Sequence, residues 1–341
     1  MKNIPKQPEP VLLPDSPKEP DLLTQLKAMT IVVADTSDYQ TIPFFVPRDA
    51  TTNPRLIATA AKQPEYMEII ERAVSELDKR SFAGSIEDRA AMARELVSVY
   101  FGYRLLSHIP GRVSVEVDAN TAIDMNATVV AARRLITEFG RIGIAKTRLL
   151  IKIPATWQGI RAAEILEKEG IHCNLTLIFC VEQALACAGA GATVISPFVG
   201  RITDWYKKTG GGSYDLPSQD PGVCTVIGIF NHLKSRNSPT AVMGASFRNI
   251  DQVCALAGCD LLTVSPALLA ELHATYRPLK RQLDASTVKG LKLTHPPVTE
   301  AYYYDSLARN NMASQLLNEG IADFIEAQKA VERLLRTRMG V

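Results

Sequence analysis

The chain has 341 residues, 46% hydrophobic and 22% charged, which is ample material for a large core. A net charge of +2, with acidic and basic residues interleaved as in Glu167-Lys168-Glu169, gives no basis for nucleic acid or an anionic membrane surface as a partner. The six cysteines form no C-x-x-C pair and the five histidines are scattered, so zinc is disfavoured. Free thiols packed as small hydrophobes in a reducing compartment, the cytoplasm, are the expected alternative.

Residues 1–20 hold six prolines and mixed charge, a segment unable to bury enough apolar surface to offset its ordering entropy. It is expected to be disordered, leaving 21–341 as a single domain. The N-terminus lacks the hydrophobic region of a secretory signal, and Glu182 and Gln183 break the longest apolar stretches too soon for a membrane span. A short helix is predicted around 21–27. Strands are then predicted over Ile31–Ala34, Phe44–Val46, Val113–Val117, Leu149–Ile153, Cys173–Phe179, Thr193–Ser196, Ala241–Ala245 and Leu261–Val264. Most lack period-two alternation, as parallel strands covered on both faces do.

Helical periodicity falls between them: Ile69, Ile70, Ala73 and Leu77; Val129, Ala132, Ile136 and Phe139; Val223, Val226, Ile227 and Phe230. Eight strands alternating with helices predict a (β/α)8 barrel. An open Rossmann-type sheet is the runner-up, but no G-x-G-x-x-G follows a strand. Past Thr299, apolar residues at helical spacing (Ile321, Phe324, Ile325, Val331, Leu334) predict two extra C-terminal helices. These either cap the barrel or cross its mouth.

In such a barrel the active site lies at the C-terminal ends of the strands. The polar residues there are Asp35 and Thr36, then Thr51-Thr52-Asn53-Pro54, Glu116 and Asp118, Lys152, Asn174 and Thr176, Ser196 and Arg201, Ser246 and Arg248, and Ser265. Lys152 stands out as the one charge in Leu149-Leu150-Ile151-Lys152-Ile153-Pro154. Burial favours the neutral amine of a lysine, a nucleophile that condenses with ketones. The competing reading is a structural ion pair, or a side chain reaching out at the strand end. Carboxylates nearby would supply the acid and base that Schiff-base chemistry needs. Arginine and serine at the rim suit a phosphate. Structural alternatives remain for each: Asp35 as a turn cap, Arg248 paired with Asp251 or Asp204, Thr176 bonded to strand backbone.

The segments Val33-Ala34-Asp35-Thr36, Asp49-Ala50-Thr51-Thr52-Asn53-Pro54, Glu116-Val117-Asp118, Ile151-Lys152-Ile153, Cys173-Asn174-Leu175-Thr176-Leu177, Ile195-Ser196-Pro197-Phe198-Val199-Gly200-Arg201 and Met243-Gly244-Ala245-Ser246-Phe247-Arg248-Asn249 resemble the transaldolase family. The resemblance runs from about Leu22 to the C-terminus. It implies transfer of a dihydroxyacetone unit between sugar phosphates, without metal or organic cofactor, in an enzyme that is often a homodimer. By the same resemblance Lys152 is the Schiff-base lysine and Asp35 handles the hydroxyl of the bond that breaks. Glu116 and Thr176 position a water for proton transfers. Asn53 and Asn174, with Ser196 nearby, contact the dihydroxyacetone unit; Phe198 lies beside the intermediate; Arg201, Ser246 and Arg248 hold phosphate. Asn120 and Pro154-Ala155 depart from the common family pattern at non-catalytic positions. A fructose 6-phosphate aldolase releasing free dihydroxyacetone, or a non-catalytic sugar-phosphate binder, are the alternatives. Retention of the amine, both carboxylates and Thr176 argues against the binder.

Overall fold

Short apolar runs separated by amphipathic helices must bury both strand faces, and a closed parallel barrel does so without leaving an edge. The computed structural model describes residues 19–214 and 216–340. The strands β1 (Ile31–Asp35), β2 (Asp49–Thr51), β3 (Val113–Glu116), β4 (Leu149–Pro154), β5 (Cys173–Ile178), β6 (Val194–Pro197), β7 (Ala241–Gly244) and β8 (Leu261–Val264) pair in parallel in chain order, and β8 closes on β1. This is the expected (β/α)8 barrel. Residues 1–18, most of the segment expected to be disordered, lie outside the described residues.

One predicted strand is wrong. Phe44–Val46 is not a strand: Ile42–Phe45 forms a helical turn with Pro43 in its first positions, and Val46 adopts φ 44° to end it. Phe44 and Val46 are 78% and 69% exposed, so their apolar character reports no buried strand. The second strand is instead Asp49-Ala50-Thr51, three fully buried residues opening on an aspartate. Its Asp49 Oδ1 accepts from the Arg112 amide (2.9 Å), which satisfies the buried carboxylate.

The helical periodicities fall on Met67–Lys79, Met125–Arg141 and Pro221–Ser235, and the early helix on Leu22–Lys27 with Asp21 as its cap. A further long helix, Ile86–Leu106, is started by a capping box in which Ser85 and Asp88 satisfy each other's backbone amides. Among the described residues no helix is long and apolar enough to cross a membrane.

The barrel interior is layered. Val33, Leu150, Val194, Met243 and Leu261 form a small buried cluster of their own, apart from the large core between strands and helices. Side chains two residues apart on a strand share a face. The next inward positions are therefore Asp35, Lys152, Ser196, Ala245 and Thr263, a mainly polar layer resting on an apolar plug.

The two C-terminal helices are Glu300–Arg309 and Asn311–Arg338, and the longer one crosses the mouth of the barrel. Tyr303 of the shorter is buried and donates to the Ala155 carbonyl (2.5 Å), just beyond β4. Gln328 of the longer accepts from the Ala119 amide (2.9 Å) and donates to the Val117 carbonyl (3.2 Å), just beyond β3. Arg94, on Ile86–Leu106, ties the two together, donating to Asp118 Oδ2 (2.7 Å) and Glu332 Oε1 (2.9 Å). At Gly320 the long helix comes so near that a Cβ would lie 2.7 Å from Leu177 Cδ2. Leu177 itself has φ 58° at an irregularity in β5, where Thr176 pairs with Ser196 and Ile178 with Pro197.

Candidate active site

A cavity of about 310 Å³ opens at the C-terminal ends of the strands. Of the eleven residues expected to form the site, Asp35, Asn53, Lys152, Ser196, Phe198, Arg201, Ser246 and Arg248 line it. Glu116, Asn174 and Thr176 sit in the wall behind.

Lys152 is 4% exposed, and its Nζ donates to the Thr52 carbonyl (3.1 Å). Glu116 Oε2 is 3.5 Å away, across the β3–β4 register in which the two residues are paired. Lys152 is thus ion-paired, as the structural reading expects, and it also lines the cavity. Neither carboxyl oxygen of Glu116 has a hydrogen-bond partner, nor does the hydroxyl of fully buried Thr176. Thr176 therefore does not bond to strand backbone. Leaving such groups unpaired costs about 1–3 kcal/mol each, more for charged ones, so their retention points to use in chemistry. Burial pushes the Glu116 carboxyl up to about 7, against the opposing pull of Lys152 and, more weakly, Arg201.

Asp35 opens onto the cavity, yet the cavity lies within the barrel and the carboxyl is poorly solvated. That burial raises it above the ordinary aspartate range, while Lys152 and a hydrogen bond from Thr51 Oγ1 (2.9 Å) pull it down. Thr51 and Thr263 share a further hydrogen bond (2.6 Å), so the β8 residue helps fix Asp35 indirectly. Asp35 is not a turn cap.

Asn53 caps the helix Pro54–Ala60, its Oδ1 accepting from the Leu56 amide (3.0 Å). Its side-chain amide nitrogen has no protein partner among the described residues. Asn174 is fully buried: its Oδ1 accepts from Ser196 Oγ (2.7 Å) and its Nδ2 donates to Ser114 Oγ (3.1 Å). It orients Ser196, which does line the cavity.

The rim is built from the loops after β6 and β7. Phe198 packs edge-on against Phe179, and the Arg201 guanidinium lies 5.5 Å from the Phe198 ring centre. The Val199 and Gly200 amides donate to the Ala245 and Ser246 carbonyls (2.9 and 2.8 Å), and a Cβ on Gly200 would collide with the latter. Ser246 adopts φ 62°, a conformation that serine seldom takes, at the cavity edge. Arg248 donates to Asp204 Oδ2 from Nε and Nη2 (2.9 and 2.8 Å), so of the two carboxylates expected it takes Asp204. Arg201 is shifted down by burial, with Arg55 and Arg248 adding to the effect and Asp323 opposing it.

Several lining residues escape sequence reasoning. Phe324 of the long C-terminal helix is 2% exposed, and Lys152 Nζ lies 5.9 Å from its ring centre. Arg55 follows Pro54 in the first turn after β2. Thr263 could have been found from the two-residue inward spacing along β8. Nothing in local sequence places Phe324 over the lysine.

The arrangement offers one amine, two carboxyls raised by burial, hydroxyls, and a cationic rim. All six cysteines are free, and four of them are buried.

Comparison with known proteins gives a consistent picture. The family described as transaldolase/fructose-6-phosphate aldolase matches residues 32–335. The transaldolase of Gloeobacter violaceus is 51% identical over 93% of this chain and 82% of its own length. That of Trichormus variabilis is 51% identical over 94% and 96%. The transaldolase of Methylococcus capsulatus is 48% identical over 94% and 97%.

Proposed function

The chain belongs to the transaldolase/fructose-6-phosphate aldolase family and acts as a transaldolase; we propose that it does so through a Schiff base on Lys152. The substrates under this reading are sedoheptulose 7-phosphate and glyceraldehyde 3-phosphate, and the products erythrose 4-phosphate and fructose 6-phosphate, a step of the pentose phosphate pathway. We assign it to the cytoplasm, a reading supported by six free thiols.

The amine of Lys152 adds to the ketose carbonyl, and the carbinolamine loses water to give an iminium. Glu116, with a carboxyl at about 7 and 3.5 Å from the amine, exchanges protons at neutrality and serves that dehydration through a water held with Thr176. Asp35 takes the proton from the hydroxyl on the second carbon from the iminium, at the far end of the bond that breaks. The carbon–carbon bond then breaks, its electron pair flows into the iminium to form an enamine, and the aldehyde leaves. An acceptor aldehyde enters, the enamine carbon attacks it, and Asp35 returns the proton. Hydrolysis of the new iminium frees the product and the amine. Asn53 and Ser196 bind hydroxyls of the three-carbon unit, with Asn174 supporting Ser196. Phe198 and Phe324 bring no proton donor near the enamine. Arg201, Ser246 and Arg248 receive phosphate.

The observation that carries this reading is the pairing of a buried, cavity-facing amine with a neighbouring carboxyl poised near neutrality. Incubation with fructose 6-phosphate and borohydride tests it. A reduced three-carbon unit should appear on Lys152 by peptide mass spectrometry. An adduct on another lysine, or none, refutes the assignment.

A further inference from the structure

Three guanidinium groups line the cavity, not two. Arg201 and Arg248 come from the loops after β6 and β7, while Arg55 comes from the far side, after β2. Two carboxylates hold them, Asp323 and Asp204, and neither is part of the cavity lining. Asp323 is shared. Its Oδ2 lies 3.7 Å from Arg55 Nη1 and 3.5 Å from Arg201 Nη2. One anionic oxygen therefore reaches both guanidiniums at once, so an oxygen of a phosphate entering from the cavity can do the same.

The existing pairs are easily exchanged. Both are long, the Arg55 side chain is 62% exposed and Asp323 39%, and ion pairs of this kind contribute little. A phosphate brings more charge and more acceptor oxygens, and its hydrogen bonds to guanidinium are short and charge-assisted. Asp323 sits one residue from Phe324, which covers the Lys152 amine. Exchange at Asp323 thus occurs next to the ring over the reacting nitrogen.

Resting on the phosphate-binding role assigned to Arg201 and Arg248 above, we propose that Arg55 is a third ligand for the substrate phosphate and that Asp323 is its displaceable counter-ion. Arg55 then discriminates phosphorylated from non-phosphorylated acceptors, and Asp323 sets how much affinity the rim gives to any anion.

The test compares the full-length wild type with Arg55→Ala, Arg55→Lys and Asp323→Asn, using fructose 6-phosphate as donor and either glyceraldehyde 3-phosphate or glyceraldehyde as acceptor. Arg55→Ala should raise KM for the phosphorylated acceptor about five- to tenfold, since a partly exposed charged contact is lost. Its kcat, and kcat/KM with glyceraldehyde, should change by less than about twofold. Arg55→Lys should recover part of the loss. Inorganic phosphate, followed as a competitive inhibitor and by calorimetry, should bind more weakly to Arg55→Ala and more tightly to Asp323→Asn. Equal effects on both acceptors, or unchanged phosphate affinity in Arg55→Ala, overturn the proposal. Calorimetry needs no turnover. Inactivity of the wild type would therefore count against the catalytic reading alone, while phosphate affinity still decides the role of Arg55.

Discussion

The lower and upper halves of the barrel interior are built from the same strands, on the same face, two residues apart. Below lie Val33, Leu150, Val194, Met243 and Leu261; above them lie Asp35, Lys152, Ser196, Ala245 and Thr263. The lower layer has no polar side chain to satisfy and fills the barrel by packing. The upper layer carries charges that burial disfavours, and the Glu116 carboxyl, carried at the same level by β3, faces Lys152 but has no hydrogen-bond partner and is raised to about 7. One step along a strand separates the part that fills the barrel from the part that lines the candidate site. The plug is also what makes the upper layer poorly solvated, because it closes the barrel from beneath.

Substitutions at Leu150 and Lys152 should separate the two halves most sharply. Lys152→Met should reduce turnover at least about 10³-fold, the scale of losing a covalent nucleophile. It should remain folded, since shape is roughly kept and a buried charge is removed. Leu150→Ala should do the reverse, lowering stability by about 2–5 kcal/mol while the folded enzyme retains most of its kcat. Denaturant melts and steady-state rates on both variants check this. A Lys152→Met protein as unstable as Leu150→Ala would break the contrast.

A smaller effect is expected at Glu116. Its carboxyl is protonated below about 7 and ionised above it, so the acid needed for carbinolamine dehydration is lost as pH rises through that value. Imine formation by the wild type should slow accordingly. Glu116→Gln should lower kcat by about 10²-fold and remove the inflection from the pH profile. In Lys152→Met the strongest pull toward ionisation is gone, so Glu116 should titrate higher still, as read from its carboxyl infrared band. A wild-type profile flat across neutrality would remove Glu116 from the proton transfers.

The smallest change is one of partition. Phe198→Tyr adds a hydroxyl beside the enamine, able to donate a proton or orient a water. Release of free dihydroxyacetone from fructose 6-phosphate should increase and transfer should fall. If product analysis finds the parental ratio, Phe198 only packs the rim and the transferase character lies elsewhere.

The strands were legible where a continuous apolar run was long enough to stand out, as in Leu149–Ile153 around its single lysine. Asp49-Ala50-Thr51 was not, because three residues with an acidic start carry no hydrophobic signal, whereas exposed Phe44 and Val46 carry a false one. Most of the cavity-lining polar residues were legible because strand ends in this fold converge, so listing their polar groups nearly lists the polar lining of the candidate site. Arg55, Asp323 and Phe324 were not. Periodicity says which face of the Asn311–Arg338 helix is apolar, but not where on the barrel that face comes to rest. That depends on Gln328 bonding beyond β3, on Arg94 joining Asp118 to Glu332, and on the bare backbone of Gly320 against Leu177, all contacts between residues distant in sequence.

Phe324 lies downstream of all eight strands, with consequences for the order in which a ribosome delivers the enzyme. Synthesis proceeds at about 5–20 residues per second, and upstream elements begin to fold first. The barrel strands, with the Lys152 amine at their upper end, are complete in the nascent chain before the covering ring has been made. For a period of seconds the Lys152 side chain has been made and the ring that covers it has not. The amine is therefore covered only when the Asn311–Arg338 helix docks, so the last segment to be made is the one that closes the cavity over Lys152.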